Sequence, residues 1–337
     1  MATPVLSRRS RSRSQRGFSL VELMVGLTLG LIMTSALLVM FANASTGGQN
    51  LRRSGVQLDN GRYASELLRD DIRLAGFYGE IGTAVAVSGD PDPCSTNPVA
   101  FTAVPPTVPT PVHGYTGGQL LACLANRQPD TAAIAIRRLD IDAVVPTALP
   151  PGSQYYVQYS FCESDTLAPS LHYDRTPANF TLKDRACAAP NRVRAFVSRV
   201  YFIASCNRCT NGGDGVPTLK RIELLNGQLV ETALVEGIED MRFEYGFDVD
   251  GNGTPDSYLT EPTALGPTAD WANVMAVKLH FVSRSLDKAT GSQALAGAQS
   301  FDFGGAGLRD FANDGYVRQA HGNTIRLINP SGSREVP

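Results

Sequence analysis

The sequence lacks the short motifs that mark the common enzyme classes. It contains no G-x-S-x-G, no H-E-x-x-H and no glycine loop that would cradle a phosphate. The glycine-rich run FGGAGLRDF from Phe303 lacks the lysine that a nucleotide loop requires. Paired acids such as Asp70 and Asp71 are expected on the solvated face of a helix. We therefore predict that the chain is not an enzyme, with a membrane-tethered hydrolase of unrecognised type as an alternative.

Negative charge is absent from the start of the chain. Residues 1–17 contain no acid and five arginines, which the positive-inside rule places on the cytoplasmic side of a membrane. Removing this segment leaves 25 basic against 32 acidic residues, a formal charge of −7. An arginine-rich tail can also bind nucleic acid, but here it ends directly against an apolar run. No nucleic-acid partner is expected.

Charge is also scarce between Phe18 and Phe41, where Glu22 is the one charged side chain. At about 1.5 Å per residue a helix over this range is roughly 36 Å long, enough to cross a hydrocarbon layer of about 30 Å. The run is longer than the core of a secretory signal peptide, and no small-x-small cleavage pattern follows it. We predict a transmembrane helix over 18–41, with the rest of the chain exported but tethered.

The glutamate inside this span needs an explanation. A carboxylate in the apolar part of a membrane costs roughly 2.5 kcal/mol or more, so it either reaches headgroup water or has a functional partner. The run RGFSLVEL, Arg16 to Leu23, resembles the type IV prepilin motif. In that motif a basic leader ends in glycine, and a hydrophobic helix follows that begins with Phe and carries Glu as the fifth mature residue.

The resemblance implies how this end of the chain is used. A prepilin peptidase would cut between Gly17 and Phe18 and methylate the new amine of Phe18. Glu22 would then pair with the N-terminal ammonium of a neighbouring subunit as the helices leave the inner membrane. Each buried charge alone is costly, and the pair offsets that cost only when the helices are in register. Other minor pilins and the major pilin are therefore the expected partners of this helix.

The region after the span is expected to contain a second helical part and an irregular part. Apolar residues recur at spacings of three, four or seven, which predicts an amphipathic helix over 42–78 laid on a globular domain. Four glycines in it are weak helix formers and are expected to mark a bend or a melted turn: Gly47, Gly48, Gly55 and Gly61. Seven prolines fall between positions 89 and 118, so 79–130 is predicted to be an irregular surface excursion.

Residues 131–337 carry strand patterns. EDMRFEYGFDVD from Glu239 alternates cleanly, with Met241, Phe243 and Tyr245 on one face. Asn226-Gly227 between two alternating apolar segments predicts a hairpin. A helix followed by strands with short turns predicts an α+β body of type IV pilin-like architecture. In it the long N-terminal helix packs on an antiparallel β-sheet with irregular insertions.

Four segments resemble the PilW family of minor pilins: NGRYASELLRDDIRLAGFYG, LVEGIEDMRFEYGFDVDGNGTPDSY, WANVMAVKLHFVSRS and YVRQAHGNTIRLINP. The likeness covers about residues 16–80 and 219–328. It implies a minor pilin that primes type IV pilus assembly at or near the filament tip, beside a tip adhesin. The body would be periplasmic before assembly and at the cell surface afterwards. Two alternatives stay open: a minor pseudopilin of a type II secretion system, and an adhesin or DNA-uptake pilin.

Six cysteines lie in the part that is expected to be exported. An even count in an oxidising compartment predicts three disulfides. Sequential pairing is favoured because each pair closes a local loop: Cys94 with Cys123, Cys162 with Cys187, and Cys206 with Cys209. The CNRC run is alternatively redox-active or half of a zinc site, but zinc needs two further ligands. No second C-x-x-C exists, and the four histidines are scattered.

The run DVDGNGTPD carries oxygen donors at alternate positions, which is typical of a calcium loop. The donors are the side chains of Asp248, Asp250, Asn252 and Asp256 and the backbone carbonyl of Thr254. Gly253 stands at the sixth position, where such a loop turns, but the twelfth is Leu259 and not glutamate. A site would need water or a remote carboxylate such as Glu244 or Glu261. We expect Ca²⁺ as the one cofactor, against an ion-free turn.

Overall fold

The computed structural model describes residues 17–79, 87, 92–97, 107–150, 152, 154–165, 171–262, 270–289 and 297–335 of the 337-residue chain. The chain forms two compact units, of which the first ends at Leu51 and the second begins at Arg52. Helix α1, Leu20–Leu74, contributes to both. The predicted leader, apart from Gly17, lies outside the described residues, as does much of the predicted excursion.

In the first unit α1 has no buried face. Every side chain from Phe18 to Gln49 is exposed, and the helix is long and apolar enough to cross a membrane. Three of its hydroxyl groups are satisfied within the helix, because Thr28, Thr34 and Ser35 donate to carbonyl oxygens three or four residues back. No melted turn occurs at the four glycines, since α1 is helical through all of them.

In the second unit α1 buries one narrow stripe. Gly61, Ala64, Leu68 and Ile72 recur at the spacing of one helix face and are buried. A Cβ at Gly61 would lie 2.4 Å from the His321 ring, so glycine is required where the helix meets that side chain. The helix ends at Leu74 rather than at 78, and the chain turns at Gly76, whose φ is +73°.

Thirteen antiparallel strands follow in the described part of the chain: β1 Val112–Tyr115, β2 Ala133–Val144, β3 Tyr156–Tyr159, β4 Leu171–Asp174, β5 Val193–Ala204, β6 Thr218–Leu225, β7 Gln228–Glu236, β8 Ile238–Phe247, β9 Ser257–Leu259, β10 Val274–Arg284, β11 Gln299–Asp302, β12 Leu308–Phe311 and β13 Arg318–Arg326. The first sheet has the order β1-β2-β5-β3-β4, with β6 on β5 and β7 on β6. The second has the order β13-β10-β8-β9, and β11 pairs with β12. Helix α2, Ile328–Arg334, comes last.

Local patterns and observed strands agree where the pattern is strong. The β6–β7 hairpin turns at Asn226 and Gly227, whose φ angles of +52° and +72° suit a two-residue turn. Strand β8 buries Met241, Phe243 and Tyr245 in the core that it shares with α1 and both larger sheets. By contrast, the predicted excursion contains β1, which pairs with β2, so that range is not irregular throughout.

Asp71 corrects a sequence-based expectation. It is buried, whereas Asp70 is exposed. Arg138 Nε and Arg199 Nη1 donate to Asp71 Oδ1 at 3.2 and 3.0 Å, and the Tyr201 hydroxyl donates to Oδ2 at 2.8 Å. Burial alone would lower the pKa of Arg199, but Asp71 and then Glu223 raise it above its ordinary value. This cluster ties α1 to the first sheet.

Candidate functional site

The prepilin-like residues lie at the exposed N-terminal end of helix α1. Gly17, Phe18 and Ser19 precede α1, no atom would crowd a Cβ at Gly17, and Phe18 is 84% exposed. The bond between Gly17 and Phe18 is therefore outside the helix. Glu22 lies in the first turn of α1, where a carboxylate is favourable beside the positive end of the helix dipole. The geometry leaves the Gly17–Phe18 bond and the Glu22 carboxylate accessible to other proteins.

Glu22 and the residue that would carry the new ammonium are four positions apart. The two charges would therefore both lie at the start of the apolar helix. The exposed apolar side chains around this helix start, such as Leu20, Leu23 and Leu27, find no cover within their own unit. Lipid or other helices must cover them.

The loop between β8 and β9 brings the predicted calcium donors together. Carboxylate oxygens of Asp248, Asp250 and Asp256 lie within 4.8 Å of one another. Asn252 lies in the same loop, where its Oδ1 accepts from the Thr254 N–H at 2.8 Å and from the Thr254 hydroxyl. The remote carboxylates considered above, Glu244 and Glu261, do not belong to this described group of acids. Glu244 Oε1 instead lies 3.1 Å from His280 Nε2 on β10.

Asp248 is the buried anchor of this loop. Its Oδ1 accepts from the N–H groups of Gly251 and Asn252 at 2.7 and 3.1 Å. Its Oδ2 accepts from the Gly253 N–H at 3.0 Å and from Arg334 Nη1 at 2.8 Å. Burial would raise the pKa of Asp248, but Arg334 and the loop amides hold it below its ordinary value.

These contacts limit how a cation would fit. The four donors occupy the four lone-pair directions of the Asp248 carboxylate, and Arg334 already supplies a positive charge. A divalent ion would therefore have to displace the guanidinium of Arg334 or share its place. Sequence reasoning missed Arg334, because it stands 86 positions from Asp248 in a segment with no motif.

The cysteines form three disulfides, and each cysteine pairs with the next along the chain: Cys94–Cys123, Cys162–Cys187 and Cys206–Cys209. Free thiols are absent from the described residues. The last bridge lies in the connection between β5 and β6, where Lys220 Nζ is 3.4 Å from Cys209 Sγ. All three bridges belong to the second unit.

Two family models match parts of the chain. Residues 200–329 match the family model described as Type IV Pilus-assembly protein W, and this range includes β6 to β13. Residues 12–38 match the prokaryotic N-terminal methylation motif, which contains Gly17, Phe18 and Glu22. Comparison with curated proteins and with solved structures gives no match. The two family matches support the assignment of this chain to the PilW-type pilins with a prepilin-like N-terminal motif.

Proposed function

We propose that this chain is a minor pilin that primes type IV pilus assembly and is incorporated at or near the filament tip. The observation that carries the proposal is that one chain contains both features. It has an exposed apolar helix that starts with a methylation motif, and a body that matches the pilus-assembly family. Pilin-family domains are structural components rather than enzymes, so assembly and not catalysis is the role to test.

The helix supplies the assembly step in this proposal. A prepilin peptidase cuts before Phe18, and Glu22 of one subunit pairs with the new ammonium of another as the helices bundle. The pair is favourable only when the helices are in register, because either charge alone in an apolar bundle is costly. The partners are other minor pilins and the major pilin.

The size of the body favours the tip. The second unit extends from Arg52 to Pro337 and carries two sheets of four or more strands. A body of this bulk caps the end of a helical shaft more easily than it repeats along the shaft. A tip adhesin is the further partner in this proposal. Before assembly the body is periplasmic, where an oxidising compartment maintains three disulfides, and the helix is held in the inner membrane.

The test is a gene deletion with complementation, scored for surface pili and for secreted proteins. Loss of pili with intact secretion supports the proposal. Normal pili with failed secretion would assign the chain to the pseudopilins of a type II secretion system. If neither changes, the adhesin or DNA-uptake alternative takes its place, and binding of the purified chain to surfaces and to DNA is the next measurement.

We also propose that the β8–β9 loop binds Ca²⁺ in competition with Arg334. The proposal is supported by the mutual approach of Asp248, Asp250 and Asp256. Titration calorimetry on the full chain in detergent tests it at millimolar calcium. Removal of the competing guanidinium in Arg334→Gln should tighten binding, while Asp250→Asn should weaken it. If neither the parent nor Arg334→Gln binds calcium, the loop is an ion-free turn.

A further inference from the structure

Strand β13 is an edge strand whose outward backbone groups can be identified. It pairs with β10 without a register shift from Ala276↔Arg326 to Arg284↔Arg318. At its two ends, Leu327 N donates to Met275 O at 2.8 Å and Ser285 N donates to Val317 O at 2.8 Å. The backbone hydrogen-bonding groups of residues 317 and 327 are therefore directed towards β10. Since the direction alternates along an antiparallel strand, odd-numbered residues bond to β10 and even-numbered residues direct their N–H and C=O groups outward.

A side-chain amide closes one end of this outward row. Gln299 Oε1 accepts from the Arg318 N–H at 2.9 Å, and Gln299 Nε2 donates to Tyr316 O at 2.8 Å. Both contacts are to even-numbered residues, in agreement with the alternation. The amide of Gln299 thus takes the place of a neighbouring strand at this end, and the row beyond it begins at Ala320.

The rest of the row is open. Ala320, Gly322 and Thr324 are exposed, and no described residue hydrogen-bonds to their outward backbone groups. Their side chains are absent or small, so a second backbone can approach without a clash. The row ends near Arg326, whose guanidinium contacts Ser331 and Glu335 of the C-terminal segment.

The usual protections of an edge strand are missing from the middle of β13. Proteins shield such edges with charges, proline, bulges or short length. Between Gln319 and Ile325 the strand has no proline and no acid, lysine or arginine, and its one titratable residue, His321, is held by Ser283 Oγ at 2.9 Å. The strand is also regular over nine residues.

The other long edge, β7, shows the contrast. Its ladder with β6 has a register shift between Leu219 and Lys220, and Glu231 stands mid-strand in an ion pair with Lys220 at 2.7 Å. Its last carbonyl, that of Glu236, accepts from Asn60 Nδ2 at 3.1 Å. An edge that is charged, bulged and capped is protected against pairing. Strand β13 has a cap at one end and no protection in its middle.

We propose that the outward edge of β13, residues 320–324, accepts an extended strand from a different protein of the filament. Alternating N–H and C=O groups fit only an extended backbone. The partner strand carries uncharged side chains, because it faces alanine, glycine and threonine. Self-pairing centred on Gly322 would set Arg326 of each copy opposite Arg318 of the other, where Gln299 already bonds the outward N–H, so this pairing is disfavoured. That the partner belongs to a filament rests on the proposed function.

Amide hydrogen exchange tests this edge directly. The full chain is measured alone in detergent and in the assembly isolated from cells through a terminal tag. The amides of Ala320, Gly322 and Thr324 should exchange rapidly in the free chain and at least about tenfold more slowly in the assembly. Unchanged exchange would overturn the proposal. Protection in the purified chain that grows with its concentration, with a doubled mass, would make a second copy the occupant and also overturn it.

A matched pair of variants adds a second measurement. Thr324→Pro removes an N–H that the ladder with β10 does not use, and an edge strand tolerates proline there. Thr324→Ala keeps the N–H. With unchanged melting temperatures, the proline variant should be lost from the isolated assembly and the alanine variant retained; equal retention would contradict the proposal. If Thr324→Pro does not fold, Ala320→Pro replaces it. Pilus counts test the proposed function, whereas exchange tests the edge in any assembly, so the two can fail separately.

Discussion

The two parts of helix α1 are built for different surroundings. From Leu20 to Leu51 the helix has no buried residue, and up to Phe41 apolar side chains lie on all its faces, while from Arg52 to Leu74 a narrow stripe is buried against two sheets. The first part carries Glu22 as its one charge in the span. The second carries two polar groups in its buried stripe, Gln57 and Asp71, both with defined partners.

This difference separates assembly from folding. An apolar surface without specific polar contacts can be covered by lipid or by other helices, so its fit depends on the environment. A buried stripe with hydrogen-bonded polar groups fits in one register only, because a shift would leave those groups unpaired. Substitutions in the first part are therefore expected to affect assembly, and substitutions in the second part to affect stability.

The largest expected effect is that of Glu22→Ala on assembly. We expect the chain to be cleaved before Phe18 and its body to melt normally, while its amount in sheared filaments falls at least about tenfold, because the register-setting charge is lost. Immunoblots of sheared filaments and N-terminal sequencing measure both results. Glu66→Ala, which removes an exposed acid of the second part, is the control. Normal incorporation of Glu22→Ala into filaments would show that Glu22 does not set the helix register.

Asp71→Ala is expected to have the largest effect on stability. It leaves Arg138 and Arg199 partly or fully buried beside an empty space, and breaking such a cluster costs about 3–5 kcal/mol of unfolding free energy. Chemical denaturation of the full chain in detergent measures it. Asp70→Ala removes the exposed neighbour and should change stability by less than about 0.5 kcal/mol. Similar values for the two variants would show that the cluster does not hold the helix.

Gly61→Ala and Gly55→Ala make a matched pair within one helix. The first places a Cβ 2.4 Å from the His321 ring, which is held by Ser283 and stacked on Phe281 with ring centroids 4.7 Å apart. Overpacking should destabilise by about 1–3 kcal/mol. At Gly55 no atom lies within 4 Å, so alanine should stabilise by up to about 1 kcal/mol. If both variants changed the free energy of unfolding in the same direction, the observed packing of α1 would be contradicted.

The smallest effect concerns pH. Burial lowers the pKa of His321 in the folded chain, so the neutral ring is the favoured form under α1. The contribution of this ring to stability is present above the unfolded pKa of about 6.5 and is lost as the pH falls through the folded value. His321→Gln should reduce the fall in denaturation midpoint on going from neutral to mildly acidic pH. If His321→Gln left the pH dependence of the denaturation midpoint unchanged, His321 would not be the cause of that dependence.

Much of the candidate site could be predicted because its signals are local. The prepilin-like run places Gly17, Phe18 and Glu22 within a few positions of one another, and the spacing of the calcium donors is contained in one loop. The same holds for the Asn226-Gly227 hairpin, since a two-residue turn needs positive φ at both positions. Arg334 could not be predicted as the partner of Asp248, because nothing in either local segment encodes the other.

The sequence by itself determined the apolar span with its single carboxylate, the alternating strands and the order of the cysteines, since each depends on neighbours along the chain. Only the tertiary structure decided that Asp71 is buried while Asp70 is not, that β1 interrupts the proline-rich excursion, and that no described strand covers the outer edge of β13. Periodicity places a residue on a face but does not say what covers it. That depends on strand order and register, which join residues as distant as Asp71 and Tyr201.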